Sequence, residues 1–205
     1  MTNPTVLKAW GKIRSMAEQM QADERFTCVF REFAMLDAAA LLDMEQVLAE
    51  EMGAEHFAIP KQVRPLYAIT GGFRLQWRFA GSQTPPIYGS AELASPLELF
   101  QREGEPEPSR QVLSSERIFD LVSDDERVTV KMNPDRGIEG LFFYDEDGKA
   151  GQRLALDPSA YLVELAEHCA ISKWQRFFTE EPLPRSNAVE LDRQLEALMR
   201  ALGGR

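Results

Sequence analysis

The sequence predicts an α+β domain: a mixed, mainly antiparallel sheet of about five to six strands flanked by helices, with an additional helix at the N-terminus and another at the C-terminus. Three observations predict it. The stretch from Phe73 to Phe79 alternates without a fault, Phe73, Leu75, Trp77 and Phe79 on one side and Arg74, Gln76 and Arg78 on the other, which is the two-residue period of a half-buried strand. Arg127 to Asn133 alternates again, with Val128, Val130 and Met132 on one side. Apolar residues spaced by three and four appear near each end of the chain and in between, the period of amphipathic helices.

The first element runs from Thr5 to Met20, where Val6, Leu7, Trp10, Ile13, Met16 and Met20 form an apolar stripe and Asn3 or Thr5 is placed to cap it. Arg25 to Phe33 fits either a short strand or a helical link. In Leu36 to Gly53 the apolar side is Leu36, Ala40, Leu41, Met44, Val47, Leu48 and Met52, and Gly53 supplies the stop. Pro60 restarts the chain in a helical turn, and Gly71-Gly72 turns it into the strand from Phe73. A loop, Gly81 to Pro86, leads to a short strand from Ile87 to Leu93. Arg102 to Gln111, with two Pro and three Glu, is expected to be a mobile loop.

Glu116 to Val122 opens a second strand region, and Pro134-Asp135-Arg136-Gly137 is a turn that joins Arg127–Asn133 to the next strand. Leu141, Phe142, Phe143 and Tyr144 do not alternate, which predicts a central strand covered on both faces. Asp145 to Gly151 closes a hairpin onto Gln152 to Leu156. Asp157-Pro158 caps a helix carrying Tyr161, Leu162, Leu165 and His168. A short segment, Lys173 to Phe178, precedes a final helix from about Ala188 to Leu202, whose apolar stripe packs on the domain or on a second copy.

At 205 residues the chain fits a single domain, 1–205, large enough to bury its own core. Its 33 acidic against 23 basic residues give a net charge of -10, which opposes attraction to phosphate backbones and argues against direct nucleic-acid binding. The same imbalance favours a basic protein partner. Cys28 and Cys169 sit in apolar surroundings and read as buried hydrophobes of a reducing compartment. No signal-peptide core or membrane-spanning run is found, so the expected location is the cytosol.

No motif for nucleophilic catalysis, phosphate binding or metal ligation is present. His56 and His168 lack neighbours at metal-ligand spacing, and neither cysteine is paired with a histidine by spacing. Asp145-Glu146-Asp147-Gly148 differs from a calcium loop, its glycine coming too early and its twelfth position being Leu156. The expectation is a protein without cofactor or metal, and not an enzyme. The candidate contact edge is acidic: pairing of Arg127–Asn133 with Leu141–Tyr144 brings Asp124, Asp125 and Glu126 beside Asp145, Glu146 and Asp147. The bland alternative is two solvated turns. On the polar face, Arg74, Gln76 and Arg78 with Arg127, Thr129 and Lys131 would form a basic stripe unless paired across strands with Glu92 or Glu139.

The order of several elements resembles the SUKH superfamily. The pattern comprises a helix ending in Gly53, then Ile59-Pro60, Leu66-Tyr67, Gly72-Phe73, Leu75 and Trp77, Gly89-Ser90, and Pro96-Leu97-Glu98. It continues through Ile118-Phe119-Asp120, the aromatic strand, Tyr161-Leu162, Trp174 and Phe177-Phe178. It covers about residues 36–180, leaving 1–35 and 181–205 as helical extensions, and departs at Thr70-Gly71-Gly72, where the family has Asn-Gly or Asp-Gly. The resemblance implies a non-enzymatic immunity protein that binds and neutralises a bacterial toxin, a nuclease or a deaminase. Regulatory or adaptor modules also occur in the family, and an enzyme of unrecognised type is the remaining alternative.

Overall fold

The computed structural model describes residues 3–52, 55–81, 85–100, 116–133, 137–145, 151–180 and 185–203. Helix α1, Pro4–Ala22, starts where Asn3 accepts a hydrogen bond from the Thr5 amide at 3.0 Å and Pro4 fills the first turn. It buries Val6, Trp10, Ile13, Met16 and Met20 as its period predicts, together with Ala9 and Ala17, while Leu7 turns outward. The ambiguous stretch that follows is a strand, β1, Phe26–Glu32. Helix α2, Ala38–Met52, is capped by Asp37, which accepts from the Ala40 amide at 2.8 Å.

A short helix α3, Arg64–Tyr67, leads into β2, Phe73–Phe79, whose side chains alternate between buried and exposed along its whole length. Then come β3, Ile87–Leu93, α4, Pro96–Phe100, β4, Glu116–Leu121, β5, Arg127–Asn133, β6, Gly137–Tyr144, and β7, Gln152–Arg153. Helix α5, Pro158–Glu167, is capped by Asp157 through the Ala160 amide at 2.8 Å. A 3-10 turn, Trp174–Phe178, and helix α6, Arg185–Ala201, complete the described chain.

The α+β class with terminal helices holds, and the sheet is larger and more uniform than expected. It has seven strands in chain order, β1 to β7, each antiparallel to the next, with no parallel pair among the described residues. The additions to the expected five or six lie at the margins. Val29 on the exposed side and Glu32 on the inner side blur the alternation of β1, and two residues of β7 are too few to show a period.

One face of the sheet is the core. Trp10 of α1 packs 5.1 Å from Phe73 and 6.1 Å from Phe30, centroid to centroid, and α5 buries Tyr161, Leu162 and Leu165 behind the same face. Fully buried side chains of this size contribute about 1.5–3 kcal/mol each. Lys12 and Glu167, 2.7 Å apart, tie α1 to α5. The other face carries Thr27, Val29, Arg31, Arg74, Gln76, Arg78, Tyr88, Ser90 and Glu92, exposed or half-exposed. Its charges are partly paired across strands: Arg74 to Glu92 at 3.3 Å and Lys131 to Glu139 at 3.5 Å.

The run Leu141–Tyr144 is a correction. Strand β6 lies next to the edge strand, and only Leu141 and Phe143 are buried. Phe142 and Tyr144 are half-exposed on the outer face, where Lys131 stands 5.9 Å from the Phe142 ring and Arg127 4.9 Å from the Tyr144 ring. Aromatic side chains beneath cations gain from the ring quadrupole without burial, so an apolar run need not mean two covered faces.

Candidate functional site

The pairing of β5 with β6 places Arg127 opposite Tyr144, so the turn before β5 and the exit of β6 share one end of the sheet. The turn is tight: the Ser123 amide donates to the Glu126 carbonyl at 2.9 Å, and the Ser123 hydroxyl accepts from the amides of Asp125 and Glu126 at 3.3 and 3.0 Å. Asp124 and Asp125 at its apex are exposed and make no ion pair among the described residues. Glu126 instead is buried, 4% exposed, 3.7 Å from Lys173. Asp145 pairs with Arg176 at 2.8 Å. Glu146 and Asp147 lie outside the described residues, as do the Arg102–Gln111 loop and the glycine of the calcium-like segment. Of the four carboxylates that can be placed, two are matched within the chain and two are left for solvent or a partner.

Beside this turn the sheet is split. Strands β3 and β4 meet at one residue pair, Leu93 with Asp120, helped by the Ala94 amide on the Phe119 carbonyl at 3.0 Å. Below that rung the segment 169–173 enters between them. The Ser90 amide donates to the Ala170 carbonyl at 2.9 Å, the Ser172 amide to the Tyr88 carbonyl at 3.0 Å, and Gly89 bridges Ile171. The strap turns sharply, with Cys169, Ala170 and Lys173 at φ of 54°, 53° and 71°. A left-handed residue with a Cβ costs of order 1 kcal/mol or more and persists where its surroundings fix it.

Those surroundings are visible. The Trp77 indole donates to the Cys169 carbonyl at 2.9 Å. A Cβ at Gly89 would come 2.3 Å from the Trp77 ring and 2.5 Å from the Ala170 carbonyl, so glycine is what lets strap and ring close on β3.

On the outer face, strap, split and acidic turn enclose a groove of about 480 Å³. Val29, Arg78, Tyr88 and Ser90 are on its sheet side, and Asp124, Glu126 and Ser172 on the other. Val29 is 44% and Tyr88 50% exposed, and Arg78 lies 5.8 Å from the Tyr88 ring. The Ser90 hydroxyl is buried without a hydrogen-bond partner among the described residues. The arrangement offers an apolar and aromatic contact, a cation and the Asp124 carboxylate side by side, chemistry that suits docking. Asp124 and Glu126 were legible as acidic residues, and Gly89-Ser90 as part of the family pattern. Val29, Tyr88 and Ser172 were not singled out, because their convergence depends on the strap.

The groups with chemical potential lie elsewhere. Cys28 and Cys169 are free thiols, one half-buried and one buried, and burial pushes Cys169 up to about 11. Cys169 Sγ is 3.7 Å from the Met199 sulfur and Cys28 Sγ 3.9 Å from the Ala17 carbonyl. His168 Nδ1 lies 2.8 Å from the Glu164 carbonyl, its ring stacked 5.5 Å from Trp174, while His56 is exposed. Asp120 is fully buried and accepts from the Glu92 amide at 2.7 Å and the Tyr161 hydroxyl at 2.6 Å. Desolvation raises its pKa to about 6 against the lowering effect of both hydrogen bonds. Among the described residues no group of three or more His, Cys, Asp or Glu is placed to hold a metal ion, and no helix is long and apolar enough to cross a membrane.

No protein-family model matches the chain, and no curated protein or solved structure matches it. The SUKH resemblance therefore rests on the residue pattern alone.

Proposed function

We propose that the protein is a non-enzymatic binding domain of SUKH type, an immunity protein that neutralises a bacterial toxin of the nuclease or deaminase kind by direct contact. The observation that carries the reading is the β4–β5 turn, which exposes Asp124 and Asp125 with no ion pair among the described residues, Asp124 lining the outer-face groove. A chain of net charge -10 attracts a basic surface at long range, and uncompensated carboxylates at a contact rim raise the association rate more than the affinity. Glu126 and Asp145 contribute less to such an edge, since Lys173 and Arg176 already neutralise them.

The test is co-expression with toxins encoded beside the gene, followed by binding kinetics with any toxin that is rescued. Asp124→Lys with Asp125→Lys should slow association and flatten its salt dependence. Failure to rescue any neighbouring toxin overturns the immunity reading, and unchanged kinetics in a protein that still binds removes the acidic turn from the interface. Capture of a cellular partner from the host in place of a toxin would support an adaptor role.

A further inference from the structure

The two edges of the sheet differ. The β7 edge is closed: Leu154 bridges Thr179, the Ala155 amide donates to the Phe178 carbonyl at 2.8 Å, and the Glu180 amide to the Arg153 carbonyl at 3.2 Å. The β1 edge is seven residues long and, among the described residues, pairs only with β2. The Ala80 amide donates to the Arg25 carbonyl at 2.9 Å and the Phe33 amide to the Gly72 carbonyl at 3.0 Å, so odd-numbered residues of β1 direct their backbone groups at β2. By strand alternation, Phe26, Cys28, Phe30 and Glu32 direct theirs outward. The Phe26 amide is used by the Asp23 carbonyl at 2.9 Å. The amides of Cys28, Phe30 and Glu32, and the carbonyls of all four, have no partner among the described residues.

The charges beside this edge are also incomplete. Arg31 lies directly opposite Arg74, whose guanidinium reaches the other way to Glu92. Arg31 is exposed and makes no ion pair among the described residues. Like charges directly opposite destabilise a pair of strands. We propose that β1 accepts an extended segment of a partner protein as an eighth, antiparallel strand, with a carboxylate opposite Arg31 and an aliphatic side chain opposite Val29. A long edge with free backbone groups is a template for strand addition, and the carboxylate relieves the Arg31–Arg74 opposition. On the inner side α1 lies over β1, Cys28 Sγ being 3.9 Å from the Ala17 carbonyl, so the added strand carries small residues there. This site is distinct from the acidic turn and does not rest on the toxin reading.

The probe is a blocked heptapeptide, Ser-Glu-Ala-Val-Ala-Thr-Ser, whose glutamate falls opposite Arg31 and whose alanines fall opposite Phe30 and Cys28. Titrated into isotope-labelled protein, it should shift the amide resonances of Cys28, Phe30 and Glu32 and slow their hydrogen exchange. Lysine in place of the glutamate should weaken binding about fivefold, and Arg31→Glu should invert that preference. N-methylation of both alanines removes the donors aimed at β1 and should abolish binding, whereas N-methylation of the valine, whose N–H faces away, should not. The proposal is overturned by absence of shifts along β1, by equal binding of the glutamate and lysine peptides, or by equal binding of the two methylated forms. Self-association of the unliganded protein in sedimentation, with those amides already protected, would replace the partner segment with a second copy.

Discussion

Asp120 should contribute more to stability in mild acid than at neutrality, the reverse of what a salt-bridged carboxylate does. The group is fully buried at the one rung joining β3 to β4, and its pKa moves from 3.8 to about 6. At 1.36 kcal/mol per pH unit that corresponds to about 3 kcal/mol. Because the folded state holds the proton more tightly, the contribution is fully present below the unfolded value of 3.8 and is lost as pH rises through about 6. The comparison is with Asp120→Asn, which keeps an acceptor for the Glu92 amide and does not titrate. Gln175 can turn its amide so that Oε1, which has no hydrogen-bond partner among the described residues, accepts from the Tyr161 hydroxyl. Urea midpoints of both proteins, measured from pH 3.5 to 7.5, give the difference. Asp23, half-exposed, and Glu190, exposed, whose pKa values are lowered by Arg25 and Arg193, occur in both proteins and cancel. Stability of the native protein relative to the variant should fall by up to about 3 kcal/mol across the window from about 4 to 6. Parallel curves would refute the reasoning.

Three further outcomes follow from packing and pairing. Gly89→Ala should destabilise by about 1–3 kcal/mol, read as a lower urea midpoint, since the new methyl meets Trp77 and the Ala170 carbonyl. Trp77→Asp should abolish the cooperative transition in circular dichroism, because it buries an unpaired charge in place of a ring 3% exposed. Glu45 accepts from the Ile59 amide at 2.8 Å and from Arg64 at 2.5 Å. Glu45→Ala should therefore cost about 1–3 kcal/mol, with Glu45→Gln recovering part of the loss in the same denaturation assay.

How far the sequence disclosed this molecule depends on how local each cause is. Strand β2 was fully legible, because one-residue alternation determines which side chains are buried, and its partner Glu92 was legible from charge. The caps at Asn3 and Asp157 could be read from residue type. Strand β1 was ambiguous because apolar Val29 stands on its exposed side and Glu32 on its inner side, and the aromatic residues of β6 were misplaced because cations substitute for a covering layer. The strap at 169–173 had no signal at all: left-handed backbone at Cys169, Ala170 and Lys173 is imposed by Trp77 and β3, some eighty to a hundred residues away. The groove, which exists because of that strap, was correspondingly hidden, and of its wall only Asp124 and Glu126 had been named as contact residues.

The single Leu93–Asp120 rung makes the sheet mechanically two panels. Strands β1 to β3 and β4 to β7 are each joined by longer ladders, and between them stand one register pair, the Ala94–Phe119 backbone bond, one buried carboxylate and the strap. The seam is where backbone pairing within the sheet is thinnest. One hydrophobic core lies beneath both panels, and Asp120, accepting from the Glu92 amide of β3, is the side chain that latches them.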